Sequence, residues 1–182
     1  MDFRAVLRSV LDGFRSHSIR YALIGGFALG AWGVPRGTVD LDFLVHHDDM
    51  DSVDEVMKSL EYECRHRSEN VSQYISPLQV FGEIDILHAF RTHSLEMLER
   101  AVVKEIFNGA ERIRMVTIED LIGLKIQAIV NDRSRMSIDM ADIEALMELG
   151  IPLNWGLVEE YFTIFTMDDM YKDLKGRYTG DQ

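Results

Sequence analysis

Two aspartates stand one residue apart in an alternating run, Val39-Asp40-Leu41-Asp42-Phe43-Leu44-Val45. A strand repeats every two residues, so Val39, Leu41, Phe43 and Val45 turn to one face and both carboxylates to the other. Their Cα atoms are then about 6.6 Å apart, a span over which side-chain oxygens converge on one divalent ion or straddle two. Hard oxygen donors suit Mg²⁺. The plain alternative is the solvated outer face of a half-buried strand. Asp is depleted in strands, however, because its short side chain competes for backbone hydrogen bonds, so a pair on one face needs a reason.

Upstream, the apolar residues Ile19, Tyr21, Leu23 and Ile24 read as a buried strand, and Gly25-Gly26 then opens an apolar helix over 27–32. Glycines at a strand-to-helix turn let backbone amides face a phosphate where the helix dipole favours an anion, although a tight turn with close helix packing would use the same residues. A basic loop, Arg36-Gly37-Thr38, separates this turn from the Asp pair. Downstream, Glu83-Ile84-Asp85-Ile86-Leu87 alternates again and offers Asp85 on a polar face. If the two alternating strands are neighbours, Asp85 completes a triad in which one group holds a metal or takes a proton from an attacking hydroxyl.

At these residues the chain resembles the polymerase-beta-type nucleotidyltransferase superfamily, whose pattern is a glycine turn and helix, Asp-x-Asp on the next strand and a single Asp on a later one. Gly25-Gly26, Asp40/Asp42 and Asp85 follow that order, and Arg36-x-Thr38-x-Asp40-Leu41-Asp42 is similar to the minimal bacterial members, including abortive-infection and toxin-type enzymes. The family usually has Gly-Ser; Gly-Gly removes one hydroxyl donor and leaves the backbone amide. The resemblance implies that Asp40, Asp42 and Asp85 bind metal, with two Mg²⁺ ions and an NTP substrate. It implies also that Gly25 and Gly26 line the phosphates, with Arg36 and Thr38 as helpers.

Further along, Thr117-Ile118-Glu119-Asp120 resembles a capping box, and the helix after it places Ile118, Leu121, Ile122, Lys125, Ala128 and Ile129 on one stripe. Lys125 inside an apolar stripe is either a snorkelling side chain or a ligand-binding one. Toxin-like relatives carry a lysine followed by an Asp-x-x-Asp helix, and Lys125 with Asp139 and Asp142 matches that order. By resemblance, Lys125 touches the nucleotide phosphates and Asp139 assists.

With 182 residues, 47% of them hydrophobic, the chain can bury one core. The lone Cys64 cannot form an internal disulfide and reads as a structural residue in a reducing compartment. The start Met1-Asp2-Phe3-Arg4 has no leader pattern and no window approaches a membrane span, which together place the chain in the cytoplasm. Net charge is −12. A protein that tracks a phosphate backbone normally carries a basic stripe, and the densest cluster, Arg65-His66-Arg67, reads as a solvated strand edge. Acidity favours a small-molecule or protein acceptor over nucleic acid.

The pattern predicts helices over 3–16, 27–32, 51–60 and 94–100, and strands over 19–24, 39–45, 62–67, 72–76 and 79–87. Residues 102–107 and 112–116 read as a hairpin turned by Asn108-Gly109; helices follow over 118–130, 138–149, 155–165 and 167–174, then a frayed tail. Met and aromatic residues in 155–165 read as core or dimer packing. His46-His47-Asp48-Asp49 offers zinc-type donors, yet adjacent strand residues face opposite ways, so a strand end with an Asp helix cap is the better reading. The expected fold is α/β (α+β), a mixed sheet packed by helices, with a nucleotidyltransferase core over 1–116 and a helical segment over 117–182 closing the site. The alternative function is a non-catalytic nucleotide- or partner-binding member of a toxin–antitoxin pair.

Overall fold

Tyr21–Ile24, four apolar residues that are all buried, form strand β1. The computed structural model describes residues 3–38, 40–76 and 82–179. Its further strands are β2 (Asp40–His46), β3 (Glu63–Arg67), β4 (Val71–Ile75), β5 (Glu83–Ala89), β6 (Val102–Ile106) and β7 (Glu111–Met115). Together they make a seven-stranded mixed sheet of order β3-β4-β5-β2-β1-β7-β6. The helices are α1 (Phe3–Ser16), α2 (Gly25–Trp32), α3 (Met50–Ser59), α4 (Thr92–Arg100), α5 (Ile118–Asn131), α6 (Met136–Met147), α7 (Trp155–Ile164) and α8 (Asp168–Thr179). The chain divides into two compact units, Met1–Ala31 with Arg36–Val116, and Trp32–Pro35 with Thr117–Gln182.

In the first unit, α1 buries Val6, Leu7, Val10, Leu11 and Phe14, the three-and-four spacing of one helical stripe. Phe14 meets Tyr21 and Phe43 at centroid distances of 5.2 and 5.4 Å in tilted and edge-on geometries, which tie helix to sheet. β2 and β5 pair in parallel over seven residues. Leu41, Phe43, Ile84 and Ile86 are fully buried on one face, so alternation turns Asp40, Asp42 and Asp85 to the opposite face. On the apolar side, Tyr74 Oη donates to Asp54 at 2.5 Å, and Ser72 Oγ lies 2.9 Å from His88 Nε2. Arg67 donates to Asp54, Tyr74 and Ser72. That network pins β4 to both α3 and β5, because each buried polar group finds its partner on a different element.

The second unit is helical. Thr117 caps α5 by accepting from the Asp120 amide at 3.2 Å, Asn154 caps α7 through the Leu157 amide at 3.2 Å, and Tyr161 donates to Asp120 at 2.6 Å. Val158, Tyr161 and Phe162 are buried and form core, while Trp155 and Phe165 are half-buried.

Several boundaries differ from the sequence expectation. α2 begins at Gly25 itself, with φ +68° at that residue, so the diglycine is the helix's first turn and not a turn before it. The β6–β7 connection spans 107–110 rather than two residues, with φ of 51°, 57° and 82° at Phe107, Asn108 and Gly109. Three left-handed residues make a wider loop than a primed two-residue turn, and Phe107 uses it to meet Phe27 at 6.0 Å. α8 runs on to Thr179, since Leu174 is buried and Arg177 pairs with Glu144 at 2.9 Å; 180–182 lie outside the described residues. Cys64 is exposed on edge strand β3 rather than structural. Asp49 precedes α3 without capping it: its carboxylate instead accepts from the Arg20 amide and guanidinium at 2.8–2.9 Å. Val39 and 79–81, expected in strands, also lie outside the described residues.

Candidate active site

Register assembles the site. β2 sets Asp42 directly beside Asp85 and Asp40 beside Glu83, while β4, on the other side of β5, sets Gln73 beside Asp85 and Ile75 beside Glu83. Residues paired across neighbouring strands share a face. Asp42, Asp85 and Gln73 therefore form one row across three strands, with Asp40 and Glu83 in the next.

The opposite neighbour of β2 is β1, which places Ile24 beside Asp42 and so delivers Gly25 to that carboxylate. A methyl group added to Gly25 would lie 2.0 Å from Asp42 Oδ2, inside the space the carboxylate fills. At Gly26 a methyl would come to 3.0 Å from both Cβ and Oγ1 of Thr38, with Arg36 Cγ at 3.8 Å. Thr38 Oγ1 in turn donates to the Asp40 carbonyl at 3.0 Å. Gly25, Gly26, Arg36, Thr38, Asp40, Asp42 and Asp85 are thus brought together, from four segments of the chain, around the start of α2.

Burial raises the proton affinity of Asp85; the Gln73 amide, hydrogen-bonded to it, opposes this, while Asp40 and Glu83 add to it. Asp40 is raised as well, by burial and then by Glu83. Asp85 Oδ1 is buried without a hydrogen-bond partner. Crowded carboxylates and an unsatisfied buried oxygen are what a cation relieves, so the donor set fits Mg²⁺. Among the described residues, no group of three or more His, Cys, Asp or Glu side chains is placed to hold a metal ion. Mg²⁺ does not require one, since it takes one or two carboxylates and fills its shell with substrate phosphates and water. His47–Asp49 forms a short 3₁₀ turn after β2, and the zinc arrangement is not formed there.

In the helical unit, Lys125 is buried, with Nζ donating to Asp139 at 2.8 Å and Asp142 at 2.7 Å. Arg135 Nε adds a bond to Asp139 at 2.8 Å. Burial alone would raise Asp139, but the bonds from Arg135 and Lys125 outweigh it and hold the carboxyl below its ordinary range. Lys125 therefore does not snorkel. It is clamped between the two aspartates of the Asp-x-x-Asp helix.

Gln73 was not legible as a site residue. Val71-Ser72-Gln73-Tyr74-Ile75 carries small, polar and aromatic side chains on alternate positions, and only the antiparallel register shows that Gln73 meets Asp85. Glu83 was visible in the alternation, but its place beside Asp40 was not.

Comparison with known proteins gives the family and the fold. The family model described as nucleotidyl transferase AbiEii toxin, type IV TA system, matches residues 9–174. No curated protein matches the chain. Among solved structures, the antibiotic-resistance factor ANT(2'')-Ia is 15% identical at TM-score 0.69, covering 99% of this chain and 100% of its own. An antigenic nucleotidyltransferase-like protein from Paracoccidioides brasiliensis is 20% identical at TM-score 0.56, covering 92% and 89%. The lincosamide antibiotic adenylyltransferase LnuA is 13% identical at TM-score 0.55, covering 80% and 96%. At these identities the likeness establishes the fold, and the family model establishes kinship: the chain belongs to the AbiEii family of nucleotidyl transferase toxins.

Proposed function

We propose that the chain moves an NMP from an NTP to an acceptor hydroxyl with release of pyrophosphate. The observation that carries this is the row Asp42–Asp85, with Asp40 two residues along β2 and the Gly25 turn against Asp42. Asp40 and Asp42 would hold two Mg²⁺ ions, with Asp85 as third ligand. When bound, the metal neutralises triphosphate oxygens and favours in-line attack at the α-phosphorus. Asp85 is also the candidate base, the carboxylate placed to take the proton of the attacking hydroxyl. Backbone amides of Gly25 and Gly26, at the positive end of α2, orient the phosphates, and Arg36 and Thr38 stand beside Gly26 to add charge and a hydroxyl. Lys125 and Asp139 enter by resemblance alone. Two of the three N–H donors of Lys125 are given to Asp139 and Asp142.

The acceptor is a small-molecule or protein hydroxyl in preference to nucleic acid. A net charge of −12 opposes a polyanion, and this fold holds lincomycin in the lincosamide adenylyltransferase. A cognate antitoxin partner follows from the family. Among the described residues no helix is long and apolar enough to cross a membrane.

The test combines a melting scan with a pyrophosphate assay, using each NTP with millimolar Mg²⁺. Ligands that bind only the folded chain raise Tm by mass action, so a Mg²⁺-dependent shift with at least one NTP is expected, abolished in Asp42→Asn. Pyrophosphate release should fall about a thousandfold or more in that variant, the scale of losing a metal's charge stabilisation. A shift without pyrophosphate release, in the presence of cell extract as acceptor source, would select the non-catalytic alternative; no shift with any NTP would remove the site.

A further inference from the structure

We propose that Gln73 is a positioning residue for Asp85: its carboxamide fixes one oxygen of that carboxylate so that the other, Oδ1, is left to the metal–nucleotide complex. This inference rests on the nucleotidyl-transfer reading of the site.

The geometry has three parts. Gln73 is the direct antiparallel partner of Asp85, on the side away from Asp42, so Asp85 has a carboxylate neighbour on one strand and an amide neighbour on the other. Gln73 lies beside Asp85 on the same face, where its amide opposes the rise in that carboxyl's proton affinity, whereas Oδ1 is buried without a partner; Oδ2 is the oxygen the carboxamide is proposed to hold. A carboxylate bonded through one oxygen cannot rotate freely, which fixes where its second oxygen stands. Gln73 itself is immobilised from behind. Its chain neighbours Ser72 and Tyr74 face the opposite side of the sheet, where Ser72 is held by His88 and Arg67 and Tyr74 by Asp54 and Arg67. Both neighbours are almost wholly buried, Ser72 at 0% and Tyr74 at 2% exposure. The strand cannot slide by one residue without turning Ser72 and Tyr74 outward, so register and amide position are set together.

An amide also suits the task better than the alternatives. A lysine or arginine at this position would neutralise Asp85 and compete with the incoming cation, and a leucine would leave both oxygens undirected. Glutamine donates a neutral hydrogen bond, which orients the carboxylate without cancelling its charge.

The experiment measures Mn²⁺ uptake by electron paramagnetic resonance on the full chain, with a saturating non-hydrolysable analogue of each NTP in turn, so that failure means failure with all four. Four proteins are compared: wild type, Gln73→Met, Asp85→Asn and the double variant; Tm is recorded for each. Gln73→Met keeps the side-chain length and removes the donor. It should weaken Mn²⁺ binding about tenfold, the scale of one charge-assisted hydrogen bond, with Tm within a few degrees of wild type. In the Asp85→Asn background the same substitution should change nothing further, because the group through which Gln73 acts is gone. A residue that only packs the strand would lower Tm and act equally in both backgrounds. If Gln73→Met does not fold, Gln73→Asn takes its place, its amide one methylene short of Asp85, and the same tenfold weakening is expected. Unchanged Mn²⁺ uptake in the single variant, or an equal loss in both backgrounds, overturns the assignment and leaves the nucleotidyl-transfer reading intact. A wild-type chain that takes up no Mn²⁺ with any of the analogues overturns that reading, and this assignment with it.

Discussion

Asp85 and Asp139 are both carboxylates withdrawn from solvent, and the protein treats them in opposite ways. Asp139, fully buried, receives Lys125 and Arg135, and its proton affinity is lowered. Asp85 has the Gln73 amide as a strand neighbour and a buried Oδ1 without a partner, stands among carboxylates, and its proton affinity is raised. The first arrangement is complete: charges taken from water are matched inside the helical unit. In the second, Asp85 keeps a buried oxygen, Oδ1, with no hydrogen-bond partner. A fold that can build the Asp139 cluster can neutralise buried acids, so a buried Asp85 Oδ1 left without a partner is what the proposed cation, arriving with substrate, would relieve.

The sharpest way to break this contrast is Lys125→Met. Two carboxylates would be left facing each other in a buried site, and removal of one partner of a buried ion pair destabilises by about 3–5 kcal/mol. Denaturant unfolding should show that loss, and Asp142→Asn added to Lys125→Met should recover part of it. A variant as stable as wild type would mean that the ammonium is spare for a phosphate and that the two clusters are more alike than the structure indicates.

Gly25→Ala tests the other side. The added methyl collides with the Asp42 carboxylate and holds an L residue at φ +68°, a strain on the order of 1–3 kcal/mol. The larger consequence is displacement of Asp42: nucleotide-dependent stabilisation should vanish even in protein that remains folded at 25 °C. Retention of the full Mg²⁺–NTP melting shift would show that Asp42 is not held where the turn puts it.

The smallest effect has the most diagnostic sign. Asp139 has a lowered folded pKa, so its stabilisation is in full force above the unfolded carboxyl value of about 4 and drains away as pH falls through the folded one. Asp85 has a raised folded pKa, so the stability linked to it is present below the unfolded value and lost as pH rises through the folded one. At pH 7 in EDTA, Asp85→Asn should therefore raise Tm and Asp139→Asn lower it, each by on the order of 1 kcal/mol, or about 2–4 °C. Both differences should shrink towards pH 3.5. Two shifts of the same sign would dissolve the distinction between the clusters.

Much of the carboxylate site was legible because alternation is a local property. Asp40, Asp42 and Asp85 announce their face through Leu41, Phe43, Ile84 and Ile86, and no partner strand is needed to see it. The mixed sheet and most helices follow from the same periodicities, as does the residue order of the glycine turn. What stayed hidden is relational. Gln73 and Glu83 acquire meaning only from register, which depends on how β4 and β5 align, and Lys125 reads as snorkelling until α6 supplies Asp139 and Asp142. The wide loop at 107–110 was missed because Asn108-Gly109 carries the signature of a tighter turn, while the ring contact that holds Phe107 in a left-handed conformation is long-range.

The parallel pairing of β2 with β5 has a consequence for when the molecule becomes active. Gly25, Gly26, Asp40 and Asp42 are close in sequence and joined by an antiparallel β1–β2 pair, which a short stretch of chain can close by itself. Asp85 comes about forty residues later, and its strand reaches β2 only after α3, β3 and β4 have been laid down. Contacts of that separation bear a loop-closure cost before they return any stability, and they form late in folding. A ribosome-bound or partly folded chain thus holds the glycine turn and the Asp pair but not the proposed base. On the nucleotidyl-transfer reading proposed above, activity would then have to wait for β5 to join the sheet.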